Sequence, residues 1–109
     1  MKVPLAAICE ISTTLPSQAD AERIASELID RKLAACVQIT GPIQSVYFWQ
    51  GDVHRDSEFS LRIKSCENRL VELLNFLRSQ HPYELPEITW KILNASDEYA
   101  AWVAGICNH

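Results

Sequence analysis

The apolar and polar positions of this chain change period several times, and each change predicts an element. Residues 3–12 are mostly apolar and run into Thr13-Thr14-Leu15-Pro16, which predicts a first strand ended by a turn. Ala21, Ile24, Ala25, Leu28 and Ile29 then recur at i, i+3, i+4, i+7 and i+8, one face of a helix over residues 17–32. Ser17, with Asp20 three residues on, supplies its N-cap, and Arg31 and Lys32 suit the negative end of its dipole. Residues 34–40 and 43–50 are rich in β-branched and aromatic side chains and read as strand, with Gly41-Pro42 between them as a bulge or bend. Gln50-Gly51-Asp52 signals a turn. Residues 58–64 return with clean alternation: Phe59, Leu61 and Ile63 to one side, Ser60, Arg62 and Lys64 to the other.

A second helix begins at Ser65 or Cys66. Leu70, Leu73, Leu74 and Leu77 mark its buried stripe, and Pro82 limits its end. Ile88, Trp90 and Ile92 alternate with Thr89 and Lys91 as a fourth strand. Ser96 caps a last helix whose apolar side is Tyr99, Trp102, Val103 and Ile106. The order β-α-β-β-α-β is the split βαβ pattern. It predicts an α+β, ferredoxin-like sandwich with a long central hairpin and a C-terminal helix, in a single domain spanning residues 1–109. The two main helices are expected on one sheet face. Three tryptophans and a hairpin too long for so small a domain point to other subunits covering the rest.

Composition narrows the function. The chain has 109 residues, 48% of them hydrophobic, so it supports a packed core. A net charge of −4 is the wrong sign for a nucleic-acid binder or for an anionic membrane surface. No apolar run approaches the ~20 residues of a membrane span. The apolar run after Lys2 contains Pro4 and meets Glu10 at once, so it reads as buried strand and not as a signal peptide. Cys9, Cys36, Cys66 and Cys107 form no C-x-x-C pair and read as reduced, mostly buried thiols. A cytoplasmic protein is expected. Three glycines leave no phosphate loop, and no triad spacing or base beside Cys66 supports nucleophilic catalysis, so the chain is read as non-enzymatic.

The richest chemistry lies in His81-Pro82-Tyr83-Glu84-Leu85-Pro86-Glu87. Two prolines stiffen a loop that carries an imidazole, a phenol and two carboxylates. His81 with Glu84 and Glu87 is a candidate metal set. The bland alternative is that the His81 ring bonds a neighbour and orders the loop. Tyr83 and Trp49 are candidates for packing or for lining a ligand cleft. Lys64 either neutralises a cleft carboxylate, meets an anionic ligand, or is an ordinary surface lysine.

Four segments resemble the CutA divalent-cation-tolerance family: Arg31-Lys32-Leu33-Ala34-Ala35-Cys36-Val37, Ser45-Val46-Tyr47-Phe48-Trp49-Gln50-Gly51, the stretch from Asp56-Ser57-Glu58 to Lys64, and the proline loop through Ile88. The resemblance covers the chain from about Leu5 to Trp102. It implies a homotrimer joined through long hairpins, and a role in tolerance of copper and other divalent cations. It also implies intersubunit clefts, for which Trp49, Lys64 and Tyr83 are the candidate residues and where a divalent cation, copper included, binds weakly. In bacterial relatives copper binding is attributed to a cysteine near the end of the first strand and to two adjacent histidines before the proline. Those positions hold Thr13 and Gln80-His81 here, and a hydroxyl and an amide replace thiolate and imidazole poorly. A PII-like sensor of a small anionic metabolite is the alternative, by analogy of fold alone.

Overall fold

Strand and helix periods translate into the expected order of elements. The computed structural model describes residues 6–107. These form β1 (Ala6–Leu15), α1 (Gln18–Asp30), β2 (Cys36–Trp49), β3 (Asp52–Ser65), α2 (Leu70–Gln80), β4 (Ile88–Ala95) and α3 (Asp97–Cys107), with a 3-10 turn at Glu67–Arg69 leading into α2. The strands pair antiparallel in the order β2-β3-β1-β4. This is the α+β, ferredoxin-like arrangement that the pattern predicts.

Alternation divides the sheet into two faces. Cys9, Ile11 and Leu15 of β1, with Leu61 and Ile63 of β3, pack beneath Ile24 and Leu28 of α1 and Leu73 and Leu77 of α2. Ile8 points the opposite way, and Val103 and Cys107 of α3 close over it with Leu93 alongside. The terminal helix therefore covers one end of the second face, which the sequence assigned to other subunits.

Several boundaries move, each because pairing overrides local composition. β1 runs past Ser12 to Leu15, since Thr13, Thr14 and Leu15 pair with Leu61, Ser60 and Phe59 and Leu15 is fully buried. Residues 3–5 of the expected strand lie outside the described residues. β2 is one strand with a register shift between Thr40 and Ile43. A Cβ on Gly41 would stand 2.4 Å from the Phe59 ring, so the close approach of that ring requires glycine at the bulge. β3 begins at Asp52, well before residue 58, because a polar segment is held by the ladder from Trp49↔Asp52 to Ile43↔Glu58. Gln50 (φ 51°) and Gly51 (φ 85°) close the hairpin with the two positive φ values of a right-twisting two-residue turn.

Ser17 caps α1, its Oγ accepting from the Asp20 amide at 3.1 Å. Arg31 and Lys32 lie just past the helix instead of in its last turn. Lys32 takes φ 57°, its N–H bonds the Ile29 carbonyl, and the Leu33 N–H bonds the Leu28 carbonyl. This pair of bonds is the Schellman closure, formed with lysine where glycine is usual. Ser65 belongs to β3, and Cys66 stands at the start of the 3-10 turn. Ile29, expected on the buried face of α1, is exposed, as are Trp90 and Ile92 from the apolar side of the fourth strand. Trp90 and Ile92 share a face with Ile11 and Cys9, but they sit on the edge strand β4. Trp102 is also exposed, against the Tyr99 ring.

Candidate functional site

Pro82 stops α2 at Gln80, and His81 turns the chain into extended backbone at φ −74°, ψ 132°. The His81 ring is engaged on both nitrogens. Nδ1 accepts from the Tyr83 N–H at 3.2 Å, so the neutral ring carries its proton on Nε2 and donates it to Thr13 Oγ1 at 3.0 Å. Burial pushes its pKa below the ordinary histidine value and keeps it neutral. Thr13 is thus the partner that seats His81, and His81 fixes the start of the loop. Gln80 turns to α1, where its side-chain and backbone oxygens accept from Arg23 at 3.3 and 3.5 Å.

This burial has a pH consequence. The unfolded chain takes up a proton on His81 first, so the site's stabilisation is full above the unfolded pKa of about 6.5 and is lost as pH falls through the lower folded value. The stability difference between the wild type and His81→Gln, measured by urea unfolding from pH 8 to pH 5, is expected to shrink towards the acid end. A constant difference across that range would contradict the buried neutral ring.

Tyr83 follows Pro82, tilts against the His81 ring at a centroid distance of 5.2 Å, and donates its hydroxyl to Glu58 Oε2 at 2.8 Å. Burial, and then the bond to Glu58, hold the phenol far above the ordinary tyrosine range, so it stays a donor. Across the cleft the hairpin contributes Tyr47, which stacks on His54 at 5.5 Å and donates to Asp56, and Trp49, whose carbonyl lies 3.3 Å from His54 Nε2. The proline loop and the hairpin enclose a cleft of about 540 Å³, within the usual size of ligand sites.

Of the residues singled out from sequence, Trp49, Tyr83, Glu84 and Glu87 line this cleft. His81 stands behind Tyr83 and not on the lining. Lys64 is elsewhere on the sheet, where its Nζ meets Glu10 Oε2 at 2.5 Å and both side chains are largely buried. That bond, above all, holds the Glu10 carboxyl below the usual carboxylate range. Among the described residues no three His, Cys, Asp or Glu side chains gather as a metal-ligand set, so His81, Glu84 and Glu87 are not brought together. Nor does the donor set suit copper: thiolate and imidazole are replaced by hydroxyl and amide, and the His81 nitrogens are both in use.

Six lining residues escaped the sequence reading: Thr14, Ser45, Val46, Tyr47, Glu58 and Leu85. Glu58 is only 7% exposed, and alternation places it on the polar side of β3 with Ser60 and Arg62. Its burial arises from contact with Tyr83, 25 residues away, which no local pattern signals.

The CutA1 divalent ion tolerance protein family matches residues 9–105. The chain is 36% identical over 101 residues to the divalent-cation tolerance protein CutA of Pectobacterium atrosepticum, covering 92% of each. Two solved structures share its fold. CutA1 from Ehrlichia chaffeensis superposes with a TM-score of 0.89 at 31% identity, over 95% of this chain and 98% of that one. CutA from Synechococcus elongatus does so with 0.88 at 36% identity, over 94% and 91%.

Proposed function

The chain belongs to the CutA1 divalent ion tolerance family, and from that premise we propose that it acts in divalent-cation tolerance as a non-enzymatic homotrimer that holds cations weakly at clefts between subunits. The observation that carries this reading is the charge of the cleft. Among the described residues Glu58, Glu84 and Glu87 line it, and no lysine or arginine does. Hard carboxylate oxygens suit divalent cations, and Glu84 and Glu87 on the stiff loop are the natural first contacts. A second copy supplies the further ligands that one chain lacks.

An exposed apolar stripe on the hairpin supports association. Phe48 is 77% exposed and pairs with Val53, and Val46 lies on the same side of β2, an edge strand. Apolar edges of this kind are covered in stable proteins. The unpaired thiols, two of them buried, fit a reducing cytoplasm. An anionic metabolite, the ligand of the PII-like alternative, meets three carboxylates and finds Lys64 already paired.

Light scattering is expected to give about 37 kDa, three copies of the 12.3 kDa chain. Calorimetric titration of chelator-treated protein with Zn²⁺ and Cu²⁺ is expected to show weak saturable binding that Glu84→Gln/Glu87→Gln reduces at least about tenfold. A stable monomer, or unchanged binding in the double variant, would sink the proposal.

A further inference from the structure

Glu58 presents a problem that the loop carboxylates do not. It is more than nine-tenths buried, and among the described residues its Oε2 accepts a hydrogen bond from a neutral phenol. No ion pair reaches it among the described residues, although Arg23–Asp20, Lys64–Glu10 and Arg69–Glu72 pair elsewhere. A buried carboxylate is costly unless a positive charge or several donors compensate it, and this one has acceptor capacity left over. The uncompensated charge opens onto a cleft of about 540 Å³.

The rest of the lining says which cation suits it. A bare metal ion seeks several oxygen ligands at once, whereas Glu58 stands beside the Tyr83 ring that donates to it, with Tyr47 and then Trp49 further along the same face of the hairpin. Aromatic faces attract cations through their quadrupole and also cover apolar groups. Two of these rings are held by neighbours, Tyr47 by His54 and Tyr83 by His81, so little ordering remains to be done on binding. The Tyr83 bond aims the Glu58 carboxylate as well as occupying one of its oxygens.

We propose that the cleft binds an organic ammonium ion, with its N–H groups on the Glu58 carboxylate and its apolar body along the rings of Tyr83 and Tyr47. The site is distinct in its anchor from the loop carboxylates assigned to metal cations. A primary ammonium is favoured over a quaternary one, because only the former donates hydrogen bonds to the free lone pairs of Glu58.

Benzylammonium chloride and benzyl alcohol are matched probes, nearly equal in shape and differing in charge. Titrated calorimetrically into the intact assembly after chelator treatment, benzylammonium is expected to bind saturably and benzyl alcohol at least about tenfold more weakly. Glu58→Gln is expected to remove that preference, and Tyr47→Ala to weaken both probes. Glu84→Gln/Glu87→Gln is expected to change benzylammonium affinity by less than about threefold while weakening metal binding at least about tenfold, so the two cation readings stand or fall separately. The proposal is overturned if the alcohol binds the wild type as tightly as the ammonium. It is also overturned if no saturable heat appears, the result expected were a basic side chain of a second copy to neutralise Glu58. Should Glu58→Gln fail to fold, the comparison of the two probes on the wild type still decides.

Discussion

Lys64→Met is expected to lower the stability of the fold by about 3–5 kcal/mol, because it strands the Glu10 carboxylate in a largely buried site. The pair lies between β1 and β3 at 2.5 Å, with side-chain exposures of 13% and 6%, so solvent screens it little. Lys91 and Arg62 also act on Glu10 and soften the loss. Methionine keeps most of the volume and removes only the charge. Adding Glu10→Gln to Lys64→Met should restore more than half of the lost stability, since the penalty comes from the uncompensated charge and not from a missing attraction. Urea unfolding at pH 7 and fixed protein concentration reads all three proteins. A loss below about 1 kcal/mol would show that the pair behaves like a surface pair. The pH dependence has a defined sign. Glu10 is held below its ordinary value in the folded chain, so its contribution is present above the ordinary glutamate pKa and is lost as pH falls through the folded value. The Lys64→Met penalty should therefore shrink in acid, as the stranded carboxylate takes up a proton.

Leu28→Ala is expected to cost a comparable amount, about 3–5 kcal/mol, while Ile29→Ala next to it costs less than about 1 kcal/mol. Both residues belong to the apolar stripe that sequence assigns to the core. Leu28 is fully buried between α1, α2 and the sheet, whereas Ile29 is 40% exposed. Leu28 also carries the carbonyl that accepts from Leu33 and Ala34 at the helix end, so a collapse around its cavity disturbs the turn into β2. If the two alanine variants unfold at the same urea concentration, either Leu28 is not the core residue or Ile29 is covered in the assembly. Repeating the measurement with a monomeric hairpin variant such as Phe48→Glu separates those outcomes.

Much of the fold was legible because its signals are local. The helical stripe of α1, the Ser17 cap, the alternation of residues 59–64 and the proline stop after α2 each act within a few residues of chain. Lys64 was legible as a residue with something to neutralise, but not its partner. Glu10 lies 54 residues away, and only the β1–β3 register brings the two side by side. The cleft was half legible. Trp49, Tyr83, Glu84 and Glu87 stand out by residue type and by the stiffness of their loop, and they do share one wall-to-wall space. Tyr47 and Glu58 look like ordinary members of a strand until the loop folds against the hairpin.

From residues alone, this chain determines its element order, its split βαβ pattern, its family and the rigid loop that forms one wall of a cleft. These follow from periods, caps and prolines, which constrain the backbone wherever they occur. Three things were decided only in three dimensions. His81 spends both nitrogens on Thr13 and Tyr83. Lys64 is claimed by Glu10. Glu58 becomes a buried carboxyl with no ion pair among the described residues. The physical reason is common to all three: a side chain's hydrogen bonds and its burial depend on residues brought near by strand register and loop packing, at separations of 25 to 68 positions for Tyr83–Glu58, Lys64–Glu10 and His81–Thr13.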